Sequence, residues 1–184
     1  MVRMETPNCD FGNKAIEFAL PGVDGEVWTL DSCRGQNGLL VMFICNHCPF
    51  VRAIQDRLVR DTRELLGFGV TSVAIMSNDT INYPGDNFES MSRISKDLDF
   101  PFPYLLDEKQ NVAKSYGAVC TPDFFGYNCD LKLQYRGRLD ASGKQAGPVN
   151  AKRELFEAMK QIAESGRGPT EQIASIGCSI KWKH

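Results

Sequence analysis

Cys45 and Cys48 are separated by Asn46 and His47, so the chain carries one C-x-x-C pair. Thiols at that spacing can exchange a disulfide, or they can supply half of a tetrahedral metal site. A zinc site usually needs a second such pair, and Cys9, Cys33, Cys120, Cys129 and Cys178 form none. Disulfide exchange needs only one pair, placed where a strand turns into a helix, because the thiolate is the reactive form and a helix N-terminus stabilises it. Both flanking elements are legible. Leu39-Leu40-Val41-Met42-Phe43-Ile44 is an apolar run too short to cross a membrane but suited to a strand buried on both faces. Pro49 fits a first helical turn, where its missing N–H is no loss. Val51, Ile54, Leu58 and Leu65 then recur at amphipathic spacing, which predicts a helix from Pro49 to about Leu66.

The two sulfurs take different roles in this reading. Cys45 comes first in the turn, within reach of the helix-end N–H groups, and is expected to be the accessible attacking thiolate. Cys48 lies in the first turn and is expected to be the more buried resolving thiol. An imidazolium at His47 would favour the Cys45 thiolate; a lowered nucleophile pKa stabilises the reduced form and makes the disulfide a stronger oxidant. The alternative for His47 is an exposed, solvated turn residue.

Composition narrows the classes. The chain has 184 residues, 42% hydrophobic and 24% charged, enough for one good core. A single domain over 1–184 is expected, with its core at about 14–165 and a tail from 166 to 184. A formal charge of -2 with dispersed basic residues argues against nucleic acid as a partner. No apolar run approaches a membrane span and the first residues hold no apolar signal core, so no membrane role and a cytoplasmic location are expected. In a reducing compartment seven cysteines should be mostly free thiols.

In chain order, the stretch to about Asn13 shows no periodicity and is expected to drape over the surface. Ile16–Leu20 and Val27–Leu30 flank the turn-forming Pro21-Gly22-Val23-Asp24-Gly25 and read as a hairpin. Val70–Met76 is a second buried strand, implying a right-handed parallel crossover, and ends at Ser77-Asn78-Asp79. An insertion follows: a helix from Asp86 to Leu98, a short strand Tyr104–Leu106 and a short helix from about Lys109 to Tyr116, capped by Gly117. Asp123–Tyr127 and Lys132–Arg136 form a second hairpin. Leu139–Asn150 is Gly-rich and reads as a mobile connection. Ala151–Glu164 is a helix with Leu155, Phe156, Met159 and Ile162 inward, broken by Gly166-Arg167-Gly168-Pro169.

Strand, C-x-x-C, helix, strand, helix, X-Pro, hairpin, helix is an order that resembles the thioredoxin fold. Cys120-Thr121-Pro122 stands where thioredoxin-like proteins carry a cis Thr-Pro bond facing the dithiol. More specifically, most of the chain resembles the peroxiredoxin-like branch of the superfamily, the alkyl hydroperoxide reductase and thiol-specific antioxidant relatives. The matching pieces are Cys45-Asn46-His47-Cys48-Pro49-Phe50-Val51, Ser77-Asn78-Asp79, Tyr104-Leu105-Leu106-Asp107, Tyr116 through Phe124, Tyr135-Arg136-Gly137-Arg138 and Gly177-Cys178-Ser179-Ile180-Lys181-Trp182. The resemblance implies an α/β thioredoxin-like fold, a central mixed sheet flanked by helices, with an N-terminal hairpin, a central helix-strand insertion and a C-terminal tail. It also implies thiol-based redox chemistry, without identifying a substrate; the dithiol itself is read as exchanging electrons with protein or low-molecular-weight thiols and disulfides, with no cofactor expected. The thioredoxin or glutathione system would be the electron donor, and the backbone of Thr121 beside Pro122 would pair with an incoming polypeptide.

Departures from the family pattern matter equally. True peroxiredoxins require Pro-x-x-x-Thr(Ser)-x-x-Cys; aligned through Cys48, the Thr position is Cys45 and the Pro position is Val41, which argues against a peroxidase as the first reading. Ile44 replaces the usual Trp, and Leu39 stands where many thioredoxins bury a carboxylate, leaving His47, Asp123 or water to deprotonate Cys48. With His47 in the motif, a redox potential above that of thioredoxin is expected; known dithiol potentials span roughly 150 mV, about 7 kcal/mol for two electrons. Cys120, next to Thr121-Pro122, is either a third redox thiol, a metal ligand with Cys45, Cys48 and His47 in a metal-delivery module, or a small core residue. Cys178 lies in a tail that Trp182 can anchor across the domain, as a distant resolving or regulatory thiol. Cys9, Cys33 and Cys129 default to structure.

Overall fold

A computed structural model describes residues 2–7 and 11–183 of the chain; Cys9 lies outside the described residues. The strands are β1 (Arg3–Glu5), β2 (Ala19–Pro21), β3 (Val27–Thr29), β4 (Gly38–Phe43), β5 (Val70–Met76), β6 (Tyr104–Leu106), β7 (Cys120–Thr121), β8 (Asp123–Asn128), β9 (Leu133–Tyr135) and β10 (Ile176–Ser179). The helices are α1 (Leu30–Cys33), α2 (Pro49–Arg52), α3 (Gln55–Leu65), α4 (Phe88–Asp97), α5 (Asn111–Tyr116) and α6 (Glu154–Ser165). The apolar run before the cysteines becomes β4, every residue of which is buried. It lies at the centre of a five-stranded sheet in the order β6-β5-β4-β8-β9. β5 pairs with it in parallel, Val41 opposite Val73, and β8 pairs antiparallel, Val41 opposite Phe125.

Strand periodicity then divides the core. Leu40 and Met42 face one side, with Val51, Leu58, Leu65, Leu155 and Met159 from the helices that cover it. Leu39, Val41 and Phe43 face the other, with Ala113, Tyr116, Phe125 and Tyr127. A strand covered on both faces has no polar alternate position, which is why this stretch reads as continuous rather than alternating hydrophobicity. The architecture is the mixed sheet flanked by helices that the resemblance implies.

Two expectations need correction. The helix expected from Pro49 to Leu66 is interrupted: the Ile54 N–H bonds Val51 O at 3.0 Å, a three-residue closure that separates α2 from α3. The N-terminal stretch does not merely drape; β1 pairs with β10, Arg3 opposite Cys178. The tail folds back across the domain as expected, and there it forms the centre of a second sheet ordered β1-β10-β7. Strands of two to four residues display no readable alternation, and their pairing joins opposite ends of the chain. Trp182 packs against the second core as anticipated, with the Lys114 ammonium over its ring. The Gly-rich connection after Leu139 holds no helix or strand before α6, yet its start is pinned by Arg57, whose guanidinium meets Asp140 at 2.6 Å and the Ser142 hydroxyl at 2.6 Å.

Candidate active site

β4, β5 and β6 run parallel, so their C-terminal ends share one edge of the sheet, where an open α/β sheet offers its residues to a ligand. The chain leaves β4 through Ile44 and Cys45, and Cys48 is the N-cap of α2, with Pro49 at its first helical position. Facing both sulfurs is Thr121, joined to Pro122 by a cis peptide bond. The Cys45 sulfur lies 3.3 Å from the Thr121 hydroxyl, and the Cys48 sulfur 3.0 Å from the Thr121 carbonyl oxygen. Cys45, Cys48, Thr121 and Pro122 are thus brought together. They are also buried: Cys45 is 2% exposed, Cys48 0% and Thr121 3%. The expected accessibility of Cys45 is not met.

The two thiols ionise as one unit. The Cys48 pKa is lowered to about 5, chiefly by the Cys45 thiol donating to it, against desolvation; Cys178, the Thr121 hydroxyl and the Val51 amide add to the lowering. Cys45 is correspondingly raised well above the ordinary thiol range, by its hydrogen bond to Cys48, by burial and by the Asp86 charge. One contact opposes this order, since the Thr121 carbonyl accepts only and favours a proton on Cys48. Donors from Cys45, Cys178, the Thr121 hydroxyl and the Val51 amide oppose that one acceptor, and the direction they give is a lowered Cys48 and a raised Cys45. The sequence places the easily ionised thiol at Cys45, whereas the donors around Cys48 favour the other sulfur.

His47 is not free in solvent; its ring is held by Asp86 and Tyr83. Its Nδ1 lies 2.6 Å from Asp86 Oδ2, and its ring stacks on Tyr83 with centroids 5.6 Å apart. The bond to Asp86 raises the His47 pKa above its ordinary value, with burial working against it. Asp86 is fully buried and accepts from four donors: the Asn46 amide at 2.8 Å, the His47 amide at 3.3 Å, the His47 ring, and Asn78 Nδ2 at 2.8 Å. Asn46 is gripped as well, donating to Gly85 O and accepting from the Tyr104 hydroxyl, both at 3.0 Å. The residues between the cysteines are thus clamped by the segment before α4, which sequence reasoning treated as decoration. The signal that could have found Asn78 and Asp86 was positional: both follow β5, whose C-terminal end shares the edge with Cys45.

The remaining candidates separate. Cys178 pairs in register with Thr121, is 3% exposed and hydrogen-bonds Cys48; burial and the neighbouring Cys48 push its thiol up to about 12. Cys120 is fully buried, and desolvation holds it far above the ordinary thiol range, with its sulfur 3.6 Å from Pro122 O. The expected metal set of Cys45, Cys48, Cys120 and His47 is not assembled; among the described residues the metal-competent cluster is Cys45, His47 and Asp86, their ligand atoms within 4.8 Å of one another. Asp123, a suggested base, is held instead by Arg136 at 2.9 Å, and burial raises its pKa despite that partner. The Thr121 backbone, expected to await a polypeptide, is already paired with the chain's own tail.

Residues 11–140 match the AhpC/TSA family. The chain belongs to that family. A search of the curated proteins finds no match. Among solved structures, an uncharacterized conserved protein from Geobacillus kaustophilus is 45% identical with a TM-score of 0.94, covering 100% of this chain and 97% of its own. A hypothetical protein from Sinorhizobium meliloti 1021, SMc02350, is 37% identical with a TM-score of 0.92, covering 97% and 98%. Peroxidoxin BcpB from Mycobacterium tuberculosis shares the fold at 17% identity and a TM-score of 0.56, over 68% of this chain and 83% of that one. AhpC/TSA membership and the fold make this chain one of the thioredoxin-like redox proteins, an oxidoreductase in the general sense.

Proposed function

We propose that this AhpC/TSA member is a thiol-disulfide oxidoreductase in which the Cys45-Asn46-His47-Cys48 motif cycles between dithiol and disulfide. The observation that carries it is the pair of sulfurs set on opposite polar atoms of Thr121, at 3.3 and 3.0 Å; the lowering of the Cys48 pKa by its donors supports it. The Cys48 thiolate attacks a substrate disulfide; a Cys48–substrate bond forms, the substrate S–S bond breaks, and one thiolate leaves. Cys48 then carries no charge, so the repulsion and the hydrogen bond that hold the proton on Cys45 disappear together. Cys45 gives that proton to the departing thiolate and attacks Cys48, closing the protein disulfide and releasing the second substrate sulfur as a thiolate. Two electrons pass from the protein to the substrate, and the reverse sequence oxidises a dithiol.

His47 and Asp86 serve this cycle as positioning residues, fixing the motif backbone rather than moving the proton. Protein or low-molecular-weight thiols and disulfides fit as substrates, with the thioredoxin or glutathione system as donor. A Cys48 pKa near 5 supports a disulfide more oxidising than that of thioredoxin, because the reduced form is the one stabilised. Equilibration with glutathione buffers followed by peptide mapping tests the reading. A Cys45–Cys48 disulfide forming reversibly is the expected result; cysteines that never pair, or that pair only with glutathione, would refute it.

A second reading rests on the same ionised sulfur. Cys48 occupies the position aligned with a peroxidatic cysteine, where its thiolate would take one oxygen from a hydroperoxide, releasing an alcohol and leaving a sulfenic acid for Cys45 to resolve with loss of water. Saturable peroxide consumption would support it. Consumption no faster than by a free thiol of equal pKa would exclude it.

A further inference from the structure

Three features of the tail converge on the Cys48 sulfur. The first is register. β10 lies antiparallel to β7 with Cys178 opposite Thr121, and the ladder continues as the Ile180 N–H bonds Val119 O at 3.1 Å. Gly177 lies so close to the Thr121 carbonyl that a Cβ there would collide with it. The second is anchoring at both ends. The Ser175 hydroxyl donates to Pro122 O at 2.7 Å, while past β10 the backbone of Lys181 is held by Asn78, the Asp79 amide and Gln110. The third is the contact itself: Cys178, 3% exposed, hydrogen-bonds the sulfur of Cys48.

A polypeptide that adds to a sheet edge supplies main-chain hydrogen bonds and sets alternate side chains against the site. At Thr121 that place is filled by the chain's own strand, and the residue in paired register is a cysteine. We infer that β10 is a built-in substrate strand and Cys178 a second resolving thiol for Cys48, so that the site takes low-molecular-weight disulfides rather than polypeptides. This rests on the reading of Cys48 as the attacking sulfur.

The chemistry closes without a further reagent. The Cys48 thiolate attacks a low-molecular-weight disulfide, releasing one thiolate and keeping the other half as a mixed disulfide. Cys178 attacks the Cys48 sulfur, the Cys48–Cys178 bond forms, the mixed disulfide breaks, and the Cys178 proton leaves with the second small thiol. Two protein sulfurs are oxidised and one small disulfide is reduced. Cys45 and Cys178 therefore compete for the same intermediate.

The test uses the full chain with Cys45→Ser, treated with oxidised glutathione, quenched by alkylation and mapped. The expected product is a Cys48–Cys178 disulfide with little glutathione retained, whereas Cys45→Ser/Cys178→Ser should hold at least tenfold more glutathione on Cys48. A persistent glutathione adduct in the single variant with Cys178 free, or no reaction at all, overturns the assignment. Wild-type protein in the same mixtures reports separately: a Cys45–Cys48 disulfide there leaves the proposed function standing even if Cys178 fails, and its absence removes both. Reduced wild type should also consume oxidised glutathione while leaving disulfide-bonded insulin intact; equal rates on the two would overturn the substrate class.

Discussion

Asp86→Asn isolates the clamp that holds the motif. One carboxylate oxygen receives the Asn46 and His47 amides at 2.8 and 3.3 Å, and an Asn carbonyl can keep both. The other receives the His47 ring at 2.6 Å and Asn78 Nδ2 at 2.8 Å, and there the new amide N–H₂ opposes donors. Breaking a fully buried charge pair costs roughly 3–5 kcal/mol, and His47 is partly exposed, so about 2–3 kcal/mol is expected here. For a chain of this length that corresponds to a fall in Tm of roughly 5–10 °C. The pH dependence has a definite sign. Asp86 is lowered from 3.8, so its contribution is present above that value and is lost as pH falls through its folded pKa. His47 is raised from 6.5, so its contribution is complete below that value and is lost as pH rises through its folded pKa. The gap between wild type and variant should therefore peak between these two reference values and narrow in alkali. Urea unfolding of the reduced proteins across that range measures it. A gap under about 0.5 kcal/mol throughout, the size expected of an unremarkable surface change, would refute the clamp, as would a gap that widens with rising pH.

The other predictions concern the cover and the core. Gly177→Val places a side chain against the Thr121 carbonyl, so β10 should detach from β7. Alkylation of Cys48 at neutral pH should then accelerate at least tenfold, and an unchanged rate would mean that β10 does not control access. Arg136→Met strips the buried Asp123 of its partner and should cost roughly 3–5 kcal/mol in urea unfolding, with Asp123 protonating in place. A loss below about 1 kcal/mol would show that the pair is dispensable.

Much of the frame could be read from residue order because it rests on local patterns. An unbroken apolar run can be little other than a strand covered twice, and Pro49 after Cys48 marks where the helix begins. The residues that decide the chemistry are set by pairings far apart in sequence. Asp86 reaches the motif from across the sheet edge, and a buried carboxylate among polar loop residues looks like any other acid until the fold closes around it. Cys178 stood out in the tail, yet its register with Thr121 depends on a two-residue ladder between distant strands. The burial of Cys45 was missed for the same reason. Position in a turn suggested an exposed Cys45, whereas the fold buries both sulfurs and the tail strand sets a third thiol against Cys48.

That placement of charge is open to direct measurement. Reduced full-length protein would be alkylated across a pH series, with each modified cysteine identified by peptide mapping. The expected result is a modification of Cys48 that titrates near about 5 while Cys45 stays protonated well into alkali. If Cys45 titrates first, or if both sulfurs behave as ordinary thiols with pKa near about 8.5, the sulfur that starts the chemistry has been misassigned.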